Sequence, residues 1–119
     1  MIAGTKAAVR ARIADFNAHV ELHFLSDRTL RIVCSVPVTV SDANRGVFAL
    51  HAVEINRTGL GIGCIMAGRG IGIATRIPIE EDGHVSAIAV ERAFALVVET
   101  ASVQLPVLER IQKSGLAAV

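Results

Sequence analysis

Residues 59–79 read GLGIGCIMAGRGIGIATRIPI. The fold turns on whether this stretch is a phosphate loop or a pair of strands. Read with a period of two, Leu60, Ile62, Cys64 and Met66 share one face. Gly59, Gly61, Gly63, Ile65 and Ala67 take the other. After a turn at residues 67–70, Ile71, Ile73, Thr75, Ile77 and Ile79 oppose Gly70, Gly72, Ala74, Arg76 and Pro78. The spacing GxGxG lacks the GxGxxG form, and strand follows strand. A dinucleotide fingerprint needs a strand-to-helix turn whose helix N-terminus holds the pyrophosphate. The stretch therefore predicts an antiparallel hairpin with one greasy face and one face nearly bare of side chains. Bare positions let another backbone, a helix or a second subunit approach closely. Packing within the chain and packing between subunits both remain open here.

Working towards the N-terminus, Ala43 to Ile55 fits either a helix or a strand, and helix is favoured. Val47, Phe48, Leu50 and Ile55 make its broad apolar face, after a start at Ser41 and Asp42. Before it, Val20, Leu22 and Phe24 alternate with Glu21 and His23. Leu30, Ile32, Cys34, Val36 and Val38 alternate in turn with Arg31, Val33, Ser35 and Pro37. That predicts a first hairpin, turning at residues 26–28. The N-terminal segment reads as a helix capped by Thr5 and ending near Ala18 or His19, with Val9, Ile13, Phe16 and Val20 on one stripe.

Towards the C-terminus, residues 80–83 form a polar loop, and a long helix begins near Val85. Pro106 is expected to kink or break it. Residues 114–115 should end it, leaving a short apolar tail. The element order is α-β-β-α-β-β-α. The expected fold is α+β: one domain over 1–119, an antiparallel sheet packed by helices.

Composition narrows the function. The 119 residues fit one core. Hydrophobic residues make up 52% and mean hydropathy is +0.54, which excludes a disordered chain. So apolar a small protein is expected to cover part of its surface with a second copy or a partner. A net charge of +1, with no Trp or Tyr, argues against nucleic acid. No window approaches the ~18 apolar residues of a membrane helix. The start does not read as a signal peptide, and a cytoplasmic protein is expected.

Catalytic groupings are sparse. His19, Glu21 and His23 offer two imidazoles and one carboxylate, where a metal site needs three or four convergent ligands, and they read as polar edge positions on a strand. Glu80, Glu81 and Asp82 read as a solvated turn. The serines have no nucleophile elbow. Cys34 and Cys64 read as buried reduced thiols. No catalytic residue, cofactor site or metal site is predicted. The rival to a binding protein is a small-molecule-binding or enzymatic domain, with an apolar pocket around His19, Glu21, His23 and Cys34. Arginine outnumbers lysine ten to two. Arg31, Arg69 and Arg76 sit in the hairpins, where a planar fork suits recognition of carboxylates at an interface.

The stretch from Asn56 to Ile111 also carries a resemblance. An amphipathic helix closes in Ile55 and Asn56. Strands follow at Leu60 to Met66 and Gly70 to Ile79, the second ending in Ile77, Pro78 and Ile79. An acidic glycine loop, Glu81 to Gly83, leads through His84, Val85 and Ser86 into a long helix containing Leu105 and Pro106. This resembles the YbjN family of bacterial sensory transduction regulators, which share the type III secretion chaperone-like fold. The resemblance implies a non-enzymatic, cytoplasmic homodimer that binds other polypeptides. An extended client could lie along a strand edge or an apolar groove. The residues expected to contact a partner are Ile65, Ala67, Arg69, Arg76, Val97 and Val103.

Overall fold

The structure is a computed structural model that describes residues 6–13, 16–57 and 61–114, with side chains over 19–57 and 61–113. Five strands and two helices follow in the order β1 (Lys6–Ile13), β2 (Phe16–Phe24), β3 (Thr29–Val36), α1 (Arg45–Asn56), β4 (Ile62–Ala67), β5 (Gly70–Pro78) and α2 (Ala87–Ser114). The strands make one antiparallel sheet in the order β1-β2-β3-β5-β4. The crossover through α1 carries the chain past β5 to the far edge, and the β4–β5 hairpin brings it back.

The alternation in residues 61–79 has its expected consequence. Ile62, Ile71, Ile73 and Ile77 are buried, and they share one sheet face with Leu30, Ile32, Cys34 and Val36 of β3. Both helices cover that face. α2 packs against β3 and β5, and α1 against β4. Phe48, Ala52 and Ile55 of α1 and Ala93, Val97, Ala101, Leu108 and Ile111 of α2 close the core. The turn between β4 and β5 needs a left-handed residue, which Gly68 supplies at φ 59°. Segment 45–56 is a helix, as favoured, although Leu50 leaves the expected apolar face and is 70% exposed.

Two expectations are corrected. The N-terminal segment is no helix. Lys6–Ile13 is a strand paired along its length with β2, Val9 opposite Val20 and Ile13 opposite Phe16. The same sequence reads with a period of two, as Ala7, Val9, Ala11 and Ile13 against Lys6, Ala8, Arg10 and Arg12. A short lone helix gains little, whereas a strand adds a whole ladder to an existing sheet. Pro106 does not break α2, which runs through it from Ala87 to Ser114. Buried Ala101 before it and buried Leu108 and Ile111 after it hold both halves to the same sheet. Thr5, Thr58, Gly59, Leu60 and the tail from Gly115 lie outside the described residues.

Candidate functional site: the open face of the sheet

Among the described residues, no helix covers the second sheet face. Register arranges its residues in rows. One row is His23, Arg31 and Arg76. The next is Glu21, Val33, Ala74 and Gly63, and the third is His19, Ser35, Gly72 and Ile65. Cations therefore mark one end, and small or aliphatic residues floor the rest. Two shallow cavities, of about 390 and about 260 Å³, lie along β5 and share Ile65 as a wall. Arg31, Gly63, Ala74 and Arg76 line the larger, and Val33, Ala67, Gly70 and Gly72 the smaller.

The bare face is filled in part from within. A Cβ built on Gly72 would lie 2.9 Å from Val33 Cγ1 and 3.3 Å from the Cys34 carbonyl oxygen. Val33 thus leans over β5 where the strand has no side chain. At the sheet edge, the Cys64 amide donates to Asn56 Oδ1 at 2.7 Å. The last residue of α1 thereby occupies an edge donor of β4.

On the same face, His19 Nε2 and His23 Nε2 donate to the two oxygens of Glu21, at 3.0 and 2.8 Å. Arg76 Nη1 donates to Asp27 Oδ2 at 3.2 Å. Arg31 Nε is buried with no hydrogen-bond partner. Cys34 does not join these residues. It is fully buried on the helix side, in one row with Ile73 and Cys64. The pocket expected from His19, Glu21, His23 and Cys34 is thus split between opposite faces of the sheet. With β5 between them, the two cysteines stand ~9–10 Å apart, beyond disulfide reach. Burial pushes both thiols up to about 11, which leaves them protonated and unreactive near neutrality. Among the described residues, no group of three His, Cys, Asp or Glu side chains could hold a metal ion, and no helix is long and apolar enough to cross a membrane.

The six residues expected at a partner surface separate. Ile65 is half-buried and Arg76 exposed on the open face. Ala67 and Arg69 are exposed at its end, in and beside the β4–β5 turn. Val103 is 66% exposed, but on α2, in the layer behind the sheet. Val97 is corrected: it is fully buried in the core and has no surface to offer. Its helical spacing looked the same as that of Val103, and only the packed sheet distinguishes the two. Sequence reading passed over Asn56 as an edge cap and Val33 as the cover of Gly72. Neither carries a local signal, since each acts on a residue from another element.

No protein-family model matches the chain, and no curated protein matches it. Among solved structures it is similar to a chain of the ExsC–ExsE complex, at a TM-score of 0.65 and 15% identity, covering 88% of this chain and 77% of that one. At that identity the likeness concerns the fold. The chain has the secretion chaperone-like α+β fold, a single antiparallel sheet with helices on one face. The YbjN resemblance has no counterpart among the matches.

Proposed function

We propose that this protein is a non-enzymatic, cytoplasmic, chaperone-like or regulatory protein that binds other polypeptides and acts as a homodimer. The observation that carries the reading is the uncovered sheet face. It offers two adjoining cavities walled by Ile65 and floored by Gly72 and Ala74, the kind of surface along which an extended chain docks. A solved structure of like fold is that of the ExsC–ExsE complex, which supports a bound partner. Exposed Leu50 and Val53 on α1 and Ile88 and Val103 on α2 support a second contact between copies. The separation of Cys34 from the histidines weakens the small-molecule alternative.

The test is the light-scattering mass of the purified protein, alone at several concentrations and with a permanently unfolded, carboxymethylated polypeptide. A dimer that co-elutes with the unfolded chain supports the proposal. A concentration-independent monomer overturns the dimer, and absence of any complex overturns polypeptide binding.

A further inference from the structure

The cationic end of the open-face groove has a feature that generic polypeptide binding does not use. Arg31 and Arg76 are directly opposite each other on β3 and β5, with His23 next in the row. Adjacent guanidinium groups repel unless an anion lies between them. The carboxylates nearby are committed elsewhere. Asp27 takes Arg76 and the Thr29 hydroxyl, and Glu21 takes His19 and His23 and has a further contact. Arg31 has no ion pair among the described residues, and its Nε is closed off from solvent without an acceptor. A buried donor left unsatisfied is costly, and a client carboxylate that draws the Arg31 fork outward as it binds would satisfy it. The same two arginines line the cavity of about 390 Å³ that continues over Gly63 and Ala74 beside Ile65.

We infer that the Arg31–Arg76 end of the groove is a carboxylate-binding subsite, and that the client segment it receives is extended, with an acidic side chain two residues from an aliphatic one. The spacing follows from the sheet. Arg76, Ala74 and Gly72 succeed one another at two-residue steps of ~6.8 Å, the repeat of same-side residues in an extended peptide. An acidic residue over the arginines places the second residue along above Ala74 and Gly63, in the cavity that Ile65 also lines. The fourth then lies above Gly72, between Ile65 and the Val33 side chain that leans over the glycine, and we assign it a small residue. This inference rests on the polypeptide-binding reading and adds the chemistry of the client.

The experiment uses the whole protein and two capped peptides, Ser-Glu-Ser-Val-Ser-Ala-Ser and its counterpart with Gln in place of Glu. Titrations are followed in the nitrogen–proton spectrum, where the Arg31 Nε–H signal reports directly. The expected result is that the Glu peptide shifts that signal, and binds about tenfold or more tightly than the Gln peptide. Arg31→Gln removes the difference. Arg31→Lys, which keeps charge without the fork, recovers it only in part. Equal binding of the two peptides, or binding of neither, overturns the subsite. So does an Arg31 signal that answers to inorganic phosphate more strongly than to the Glu peptide. If Arg31→Gln fails to fold, the Glu-to-Gln comparison on the native protein still decides. Failure of both peptides, while the unfolded carboxymethylated chain is held, removes the carboxylate subsite alone. Selective Glu binding without retention of that chain removes the general reading instead.

Discussion

Val33 Cγ1 lies 2.9 Å from the place a Cβ on Gly72 would occupy. One strand has dispensed with its side chain so that its neighbour can lean across it. The glycine is therefore a packing requirement of the sheet before it is a feature of any interface. Gly72→Ala forces Val33 or the β3 backbone to move. It should cost about 1–3 kcal/mol, the usual range for overpacking, read as a lower urea midpoint. Gly72→Ala with Val33→Ala should recover part of that loss. Equal midpoints for Gly72→Ala and the native protein would show that Val33 yields freely.

Asn56 closes an edge that would otherwise recruit another strand. Its Oδ1 accepts the Cys64 amide at 2.7 Å, and unpaired strand edges template association. Asn56→Ala should lose about 1 kcal/mol of stability. It should also raise hydrogen exchange at the Cys64 amide and increase aggregation. Unchanged exchange at Cys64 would remove Asn56 from this role.

The thiols give a pH signature. Both are pushed up to about 11 in the folded chain by burial, while in the unfolded chain they titrate near 9.0. Above 9 the unfolded chain releases these protons and the folded chain keeps them. Their contribution to stability is thus fully present below pH 9 and is lost as pH rises from 9 through 11. Unfolding midpoints of Cys34→Ala with Cys64→Ala should fall less steeply over that window than those of the native protein. Labelling by a thiol reagent at neutral pH should be slow until denaturant is added. Rapid labelling of both cysteines in the native state contradicts their burial.

Core and surface valines of α2 should separate cleanly. Val97 is fully buried and Val103 is 66% exposed. Val97→Ala should cost about 2 kcal/mol. Val103→Ala should leave the denaturation midpoint within about 0.5 kcal/mol of native stability. A loss at Val103 as large as at Val97 would mean that α2 is covered on both sides, as in a tight dimer.

Much of the architecture was legible wherever period and burial coincide. Residues 61–79 alternate because one face meets two helices and the other meets none. Segment 45–56 favours a helix because Phe48, Ala52 and Ile55 recur at helical spacing. The N-terminal strand was not legible. Val9 and Ile13 satisfy both periods, and what decides is pairing with β2, a partner that local pattern does not reveal. The site was half legible. Ile65, Arg31 and Arg76 follow from strand parity. The split between Val97 and Val103, and the separation of Cys34 from His19 and His23, follow only from which face the helices cover. Exposed Leu50 was misjudged for the same reason: an apolar residue at helical spacing is no guarantee of a covered surface.

The central claim is that the uncovered sheet face, and not the helix layer, receives a polypeptide. The most direct measurement is methyl NMR of the isoleucines during titration with the unfolded carboxymethylated chain. Ile65 stands on the open face, Ile73 is fully buried beneath the helices, and Ile88 is 60% exposed on α2. A chain bound on the open face shifts or broadens Ile65 first, while Ile73 and Ile88 hold their positions. Perturbation confined to Ile88, with Ile65 unmoved at saturation, would contradict it.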